Sequence, residues 1–446
     1  MTSLRAILRW LTLVARPRLL LPALLTLSAL APSMAGEQKT HWILGKAAHV
    51  PSEYTNQESG YFSIIEGKNG NVYIGCAKYG VNAYLVEFNP RNGVMKMVVD
   101  VHRAIGTMLK SFGAQAKIHT RNNLGQLTGK IYFGSKQGYP EKGEKRTDYP
   151  GGYVLAYDPQ TDKTENFGMP KQYHGVISVT PDEQRGLIYV STCDDGRPIE
   201  SAHFMVYDMK TKKYRDFGDS KVSYAFIVLD NKGRAWHPWL GGKMGRYDPE
   251  SDKFEMLDVT VDGQPCPQDI AKIGNEKQHG PVLNWDASPD GKTLWCVEMS
   301  TNMLFSFDMS AAGKTVPGKR HGPLLANVKA TDCRALAVAP TKEGKVWMAL
   351  TEQGRPGGAM THLVSYTPGD KAPRDHGAVG IANPDYVTFK DEKGKDRPWH
   401  HGLRKEKDGT LTPYTPLGIA AGADGSVYVE TLAPLTIIRY GPEQLK

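Results

Sequence analysis

Four side chains in the first half of the chain are of the types that enzymes use to move protons beside an anion. They are His119, Tyr139, His174 and Arg197. Histidine takes or gives a proton near neutral pH, tyrosine gives one beside a cation, and arginine holds a carboxylate with two parallel hydrogen bonds. This combination suits β-elimination on a uronic acid, in which the carboxylate is neutralised, the proton on carbon 5 is removed and the oxygen on carbon 4 leaves.

In that reaction Arg197 neutralises the carboxylate, His119 is the base, and Tyr139 or His174 is the acid. Six further side chains are expected to bind the substrate: Lys136, Tyr224, His237, Trp239, Trp285 and Arg334. Simpler explanations stay open beside these roles. A histidine inside a strand is commonly a hydrogen-bonded core residue, Arg197 can pair with acids in its own loop, and Tyr139 can pack in a turn.

A repeated phrase of hydrophobic residues around an aromatic residue predicts the elements that position these side chains. Its first half is centred on Tyr73, Tyr132, Tyr189, Trp236, Trp295, Trp347 and Tyr428. Its second half is centred on Phe88, Tyr157, Tyr207, Tyr247, Phe307, Tyr366 and Tyr440. Periods of roughly 40 to 60 residues with several short strands are typical of propeller blades. The sequence therefore predicts an all-β, seven-bladed β-propeller that forms a single domain over residues 36–446.

The innermost strand of each blade is expected about a dozen residues before each first-half aromatic residue. The candidates are residues 60–67, 116–122, 174–180, 223–230, 281–288, 333–339 and 416–421. In a propeller the starts of innermost strands and the ends of second strands share one face, so the candidate residues converge there. Long connections at 100–115, 137–149, 259–278 and 371–414 are expected to shape a binding mouth on the ring.

The last phrase ends at Tyr440, close to the end of the chain, and leaves no fourth strand for the final blade. We expect the segment 40–50 to supply that strand and close the ring, which removes an open sheet edge.

The first 35 residues have the character of a secretory signal, with four arginines, a short apolar run and Ser33-Met34-Ala35 before the expected cut. The mature protein is then secreted or periplasmic, without stable membrane insertion; a retained membrane anchor is the alternative. The formal charge of +8 falls to +4 without these four arginines, because the leader has no acid. No basic run indicates nucleic-acid binding, and the charge is compatible with an acidic oligo- or polysaccharide partner. A monomer is expected.

Cysteine and histidine spacing gives little support for a metal site. The five cysteines include no CxxC pair, and several lie inside strand phrases, where a thiol usually fills apolar space. His119, His174, His203 and His237 could approach one another at the mouth, but no HxH or HExxH spacing supports this. The sequence requires no cofactor, and a divalent cation such as Ca²⁺ stays open. No Gly-x-Ser-x-Gly elbow indicates a serine nucleophile.

Four stretches, residues 54–67, 116–123, 129–140 and 174–182, resemble secreted seven-bladed propellers that act on L-rhamnose linked to D-glucuronate, the cap of gum arabic and arabinogalactan. Members of that group include lyases with a mouth site of His, Tyr and Arg, and α-L-rhamnosidases that use one His elsewhere. The resemblance implies that His119, Arg197 and Tyr139 form the lyase site. Residues 53–60 contain no His, which favours elimination over hydrolysis. A non-catalytic sugar-binding propeller and a scaffold for protein partners remain alternatives.

Overall fold

The computed structural model describes residues 40–56, 58–196, 201–222, 226–266, 283–298, 301–328, 331–355, 358–387, 403–413, 415–432 and 434–446. Within this part the strands form seven four-stranded blades, which confirms the predicted all-β, seven-bladed propeller. The leader predicted over residues 1–35 lies outside the described residues. In the described ranges, no helix is long and apolar enough to cross a membrane.

Each blade is a meander whose strands follow one another from the centre outward. Blade 1 contains β2 (Glu58–Glu66), β3 (Val72–Lys78), β4 (Asn82–Phe88) and β5 (Met95–Asp100). Blade 2 contains β6 (Lys117–Ile118) with β7 (Asn123–Leu124), β8 (Ile131–Lys136), β9 (Val154–Asp158) and β10 (Lys163–Asn166). Blade 3 contains β11 (Gly175–Asp182), β12 (Leu187–Cys193), β13 (His203–Asp208) and β14 (Lys213–Asp219). Blades 4 and 5 contain β15 (Val228–Leu229), β16 (Ala235–Trp239), β17 (Lys243–Asp248) and β18 (Lys253–Val261); and β20 (Leu283–Ala287), β21 (Thr293–Glu298), β22 (Leu304–Asp308) and β23 (Thr315–Arg320). Blades 6 and 7 contain β24 (Thr331–Val338), β25 (Val346–Glu352), β26 (Met360–Tyr366) and β27 (Arg374–Ile381); and β30 (Pro416–Ala421), β31 (Val427–Thr431), β32 (Thr436–Tyr440) and β1 (Trp42–His49).

The repeated aromatic residues explain why the blades stack. All fourteen aromatic residues that centre the two halves of the phrase are buried, with at most 6% of their surface exposed. Each hydrophobic cluster joins neighbouring blades, as where Tyr73 and Leu85 of blade 1 pack with Phe133 and Tyr157 of blade 2. A single sheet leaves such a face in water, so the next blade is needed to cover it.

The N-terminal strand closes the ring as predicted. Residues 46–49 of β1 pair antiparallel with β32, the third strand of blade 7. Residues 42–45 pair parallel with β27, the outermost strand of blade 6. Residues 42–49 and the last strand, β32, are therefore held in one sheet, and the edge of blade 7 is covered.

Asn383 holds the closing strand from outside the sheet. Its side-chain Oδ1 accepts a 2.8 Å hydrogen bond from the Ala47 backbone N–H, and its Nδ2 donates a 2.9 Å bond to the Ala47 carbonyl. We expect Asn383→Ala to lower stability by about 1–3 kcal/mol, because both backbone groups lose a partner. Hydrogen exchange should then rise first in residues 42–49. Asn166→Ala is the control, since that amide oxygen accepts only a local bond from Gly168; equal losses in both variants would contradict this role.

The connections between strands are unequal on the two faces. The face where innermost strands begin and second strands end carries the longer connections, which include α1 (Val101–Ile105), short 3₁₀ turns at Ser111–Gly113 and Arg146–Asp148, β19 (Gln264–Pro265), and the hairpin of β28 (Leu403–Lys405) and β29 (Leu411–Pro413). We call this face the mouth. The opposite face has tight turns, and Gly291 (φ 65°) shows why they need glycine: a Cβ there would lie 2.5 Å from the Asn231 backbone nitrogen.

Candidate functional site at the mouth of blades 1 to 3

Large side chains fill the part of the central tunnel that the described residues line. The cavity lined by Phe62, Arg121, Phe226 and Asn284, among others, has room for about one water molecule. Arg121 of blade 2 crosses the tunnel: its guanidinium pairs with Asp286 of blade 5 and donates a 3.0 Å hydrogen bond to the Trp285 carbonyl. These large side chains leave little room for a ligand in the described part of the tunnel, and the candidate site lies at the mouth.

Two buried lysines lie side by side at the mouth of blade 2. Lys117 in β6 and Lys136 in β8 are cross-strand partners, so their side chains leave the same side of the sheet. Lys117 is 1% exposed, and Lys136 is fully buried. Glycine at position 175 makes room for Lys136, since a Cβ there would fall 2.3 Å from the Lys136 Cγ. Lysine is rarely buried without a charged or ligand-binding reason, which makes this pair the centre of the candidate site.

Two tyrosines cover the ammonium group of Lys117. The rings of Tyr79 and Tyr139 are stacked, with centroids 5.5 Å apart and planes 23° apart. The Lys117 Nζ lies 4.7 Å from the centroid of the Tyr139 ring and 5.2 Å from that of Tyr79, and it donates a 3.4 Å hydrogen bond to the Tyr79 hydroxyl. Tyr139 is 59% exposed. The platform therefore offers a ligand an aromatic surface directly beside a buried cation.

Asp195 is the carboxylate of this cluster. The Lys136 Nζ donates a 2.8 Å hydrogen bond to its Oδ1. Burial tends to raise the pKa of the Asp195 carboxyl, but Lys136 and then Lys117 outweigh it and hold the pKa below its ordinary value. The Arg146 guanidinium binds the backbone carbonyls of Asp194 and Asp195 and so fixes the loop. The described part of the cluster thus combines three cations with one nearby ionised acid.

A buried polar network holds the lysine-bearing strands. The Gln115 side chain accepts hydrogen bonds from the Ser135 hydroxyl at 2.7 Å and the Tyr149 hydroxyl at 2.9 Å, and donates one to the Gly151 carbonyl at 2.8 Å. Burial raises the pKa of the Tyr149 phenol well above its ordinary value, so it stays a donor. Such a satisfied network fixes the strand ends from which Lys117 and Lys136 extend.

His119 lies beside the lysines but behind them. Its ring stacks on Phe62 with centroids 5.8 Å apart, and only 2% of the residue is exposed. Burial, and then the charges of Lys117 and Lys136, lower its pKa well below the ordinary value. The imidazole is therefore neutral and can accept a proton, but the described conformation covers it.

His174 lies in a second group at the mouth of blade 3. Its Nδ1 shares a 3.2 Å hydrogen bond with the Thr192 hydroxyl, and its ring meets that of His203 edge to face at 5.4 Å. Burial lowers the pKa of His174 to about 4. His203 in turn hydrogen-bonds the Asp216 carboxylate at 2.8 Å. His174 and His203 are thus hydrogen-bonded to residues of blade 3 and not to the lysine pair of blade 2.

The remaining predicted residues lie in the core, in an ion pair of blade 6 or in the undescribed segments. Trp285 is fully buried and donates from its indole to the Phe226 carbonyl, so it offers no face to a ligand. His237 is fully buried against the Ser191 hydroxyl at 3.0 Å, and Trp239 packs on Phe254 at 5.3 Å.

Arg334 forms a double hydrogen bond with Asp332 in blade 6, away from the lysine pair. Arg197 and Tyr224 lie outside the described residues, as does the segment 399–401 of the predicted mouth loop.

The described residues do not form a metal centre. Nowhere in the described ranges are three His, Cys, Asp or Glu side chains grouped to hold a metal ion. The four histidines considered together from the sequence are separated, with only His174 and His203 adjacent. All five cysteines are described, and their thiols are reduced.

Lys117, Tyr79 and Asp195 were missed as site residues from the sequence. Lys117 stands two positions before His119, so strand alternation places both on one side of the sheet. That spacing could have indicated Lys117. Tyr79 follows the second strand of blade 1, and its meeting with Tyr139 depends on how the two blades stack, which no local pattern encodes.

Comparison with known proteins supports the fold alone. No protein-family model matches the chain, and no curated protein matches it. A chain in a crystal structure of a mitotic checkpoint complex is 10% identical, with TM-score 0.51 over 96% of this chain and 99% of that chain. The WD40 repeats of RRP9 are 7% identical, with TM-score 0.51 over 88% and 97%. A periplasmic gluconolactonase of Pseudomonas aeruginosa is 11% identical, with TM-score 0.47 over 84% and 93%.

Proposed function

We propose that this protein is a secreted polysaccharide lyase that cleaves L-rhamnosyl-α-1,4-D-glucuronate linkages in acidic glycans by β-elimination. The observation that carries the proposal is the pair of buried lysines, Lys117 and Lys136, beneath an exposed tyrosine platform at the mouth. The likeness of four sequence stretches to propellers that act on this linkage supplies the substrate class.

The lysine pair provides charge neutralisation. Two adjacent buried ammonium groups repel each other, and a carboxylate bound nearby relieves that repulsion through charge attraction. A uronate bound on the exposed Tyr79–Tyr139 platform, with its carboxylate turned toward Lys117 and Lys136, lies in the electric field of both charges, which lowers the negative charge at carbon 5. The proton on that carbon then becomes more acidic, which is the first requirement of elimination.

Tyr139 provides proton transfer. Its phenol is exposed, and the Lys117 ammonium group lies 4.7 Å from the centroid of its ring, where it faces any charge that develops on the phenol oxygen. The phenolate can take the proton from carbon 5, and the resulting phenol can give a proton to the departing oxygen on carbon 4. His119 is covered in this conformation and is assigned a positioning role behind Lys117 and Lys136. Arg197, predicted from the sequence to neutralise the carboxylate, lies outside the described residues, and Lys117 and Lys136 take that role in this proposal.

Incubation with gum arabic tests the reaction class. Elimination leaves an unsaturated uronate at the end of the glycan that absorbs in the near ultraviolet and lacks one water relative to the glucuronate left by hydrolysis. Rhamnose is released in both reactions, so a saturated glucuronate at that position would show a hydrolase instead. Saturable binding without any product would show a sugar-binding propeller, and no binding would overturn a carbohydrate role.

Tyr139→Phe separates catalysis from binding. We expect it to lower kcat by about 100-fold or more, the usual contribution of a positioned acid or base, with KM nearly unchanged because the ring is kept. Tyr173→Phe is the matched control, because Tyr173 is a 40% exposed tyrosine on the same face outside the cluster. Equal kcat values for the wild-type protein and Tyr139→Phe would remove Tyr139 from the chemistry.

A further inference from the structure

A thiol contacts the same lysine that holds Asp195. The Cys193 Sγ lies 3.3 Å from the Lys136 Nζ and 3.6 Å from the Asp195 Oδ1. Cys193 and Lys136 are fully buried, whereas the Asp195 side chain is 16% exposed and marks the side that faces the mouth. Sulfur, nitrogen and carboxylate oxygen therefore meet within bonding reach of one another, at the ends of two adjacent second strands.

The other fully buried thiols have different surroundings. Cys76, Cys296 and Cys333 lie in hydrophobic clusters, and their thiols point to backbone carbonyls at 3.6–3.9 Å. Burial raises the pKa of all three. A cysteine in purely apolar surroundings is inert, whereas charged groups in contact with a thiol control its reactivity. Cys193 is thus set apart by its contact with Lys136.

We propose that Cys193 and Lys136 are joined by a reversible sulfur–nitrogen cross-link when hydrogen peroxide reaches the mouth, and that the link switches off anion binding there. Only the second half of this statement rests on the proposed function. The cross-link itself depends on the three contacts alone.

The chemistry balances with one peroxide. The Cys193 thiol attacks peroxide through its sulfur and becomes a sulfenic acid, while the thiol proton passes by way of Asp195 to the departing oxygen, which leaves as water. The Lys136 ammonium group passes a proton to Asp195, whose Oδ2 is buried and has no hydrogen-bond partner in the described part of the chain. The neutral amine then attacks the sulfenic sulfur, and the hydroxyl leaves as a second water. The protein loses two hydrogens, peroxide is reduced to two waters, and two equivalents of a thiol reductant reverse the link by forming their own disulfide.

The link would remove the charge on which the mouth depends. A nitrogen bonded to sulfur no longer carries the ammonium charge of Lys136, and it is drawn toward Cys193. Lys117 then faces the ligand without its partner cation. We expect affinity for a uronate to fall by about tenfold or more, the usual effect of losing one hydrogen bond between charged groups.

Mass spectrometry of the intact, full-length mature protein tests the cross-link without reference to activity. Mild hydrogen peroxide should give a species lighter by two hydrogens, loss of tryptic cleavage after Lys136, and a peptide in which Cys193 and Lys136 are joined; dithiothreitol should restore the starting mass. Cys193→Ser should abolish the cross-linked peptide, and Cys266→Ser, at a partly exposed cysteine, should retain it. Oxidation of Cys193 to sulfinic or sulfonic acid with Lys136 unmodified, or no reaction at Cys193, would overturn the proposal.

Glycan cleavage before and after peroxide separates this inference from the proposed function. Reversible inactivation of the wild-type protein, together with resistance of Cys193→Ser, supports the switch. A cross-link in a protein that never cleaves or binds the glycan overturns the proposed function and the switching role, but leaves the cross-link standing. Cleavage with no cross-link under peroxide supports the lyase and overturns the link.

Discussion

Replacing Lys136 with methionine is expected to lower kcat/KM on rhamnosyl-glucuronate by about 100- to 1,000-fold, because a preorganised charge beside the developing carbanion is removed. The substitution keeps the length and apolar stem of the side chain. It also leaves the Asp195 carboxylate buried without the 2.8 Å partner, which by itself costs about 3–5 kcal/mol of stability. Activity must therefore be compared at a temperature where both proteins are folded, as judged by circular dichroism.

A double variant separates charge from folding. Lys136→Met with Asp195→Asn removes both members of the buried pair, so most of the lost stability should return. Cleavage of the glycan should not return, because the Lys136 charge that neutralises the substrate carboxylate is still missing. Recovery of stability and kcat/KM together would show that Lys136 has only a structural role, and the charge-neutralisation step would then have to be assigned to another residue.

The propeller was predictable because its signal is repeated. Seven buried aromatic pairs at similar spacing leave few alternative folds, and the missing strand of blade 7 leaves only the segment before β2 to close the ring. Both features follow from the need to bury sheet faces and edges. Sequence patterns of this kind report which side of a strand is covered, and the structure agrees at all fourteen aromatic positions.

The site residues were harder to predict than the fold, because the burial of each candidate side chain depends on which other side chains fill the central tunnel. Trp285 was expected to bind substrate, yet Phe226 and Arg121 pack around it and seal the centre. His119 and Lys117 share one strand side, but whether either reaches solvent depends on Tyr79 and Tyr139, which come from different blades. Contacts between blades therefore decide exposure, and exposure decides which polar side chain can touch a ligand.

Glu430 differs in character from the residues at the equivalent position of the other six blades. The residue two positions after the first-half aromatic is small or apolar in the other six blades: Gly75, Gly134, Ser191, Pro238, Val297 and Ala349. In blade 7 it is Glu430, which is fully buried and whose two carboxyl oxygens have no hydrogen-bond partner within the described ranges. It lies over Gly418, where a Cβ would meet the Glu430 Oε2 at 2.8 Å and Ile64 of blade 1 at 3.0 Å.

Glu430→Gln is expected to stabilise the protein progressively as pH rises. Burial raises the pKa of the Glu430 carboxyl well above its ordinary value of 4.5, so the folded state keeps a proton that the unfolded state releases. The contribution of this group to stability is complete below pH 4.5 and is lost as pH rises toward the raised pKa, at about 1.4 kcal/mol per pH unit. Glutamine has the same shape and does not titrate, which removes this loss. Urea unfolding at several pH values measures the difference in unfolding free energy between Glu430→Gln and the wild-type protein.

Glu183 provides a control of opposite sign. Its carboxylate accepts hydrogen bonds from the Leu127 and Thr128 backbone N–H groups at 2.7 and 3.0 Å, and from the Tyr132 hydroxyl at 3.0 Å. Burial tends to raise its pKa, but these donors and the Thr128 hydroxyl outweigh burial and lower it. Glu183→Gln should therefore destabilise the protein near neutral pH, and the difference should shrink as pH falls below 4.5. If both glutamine variants change stability equally at every pH, Glu430 is ionised in the folded protein and must have a cationic partner at the seam between blades 7 and 1.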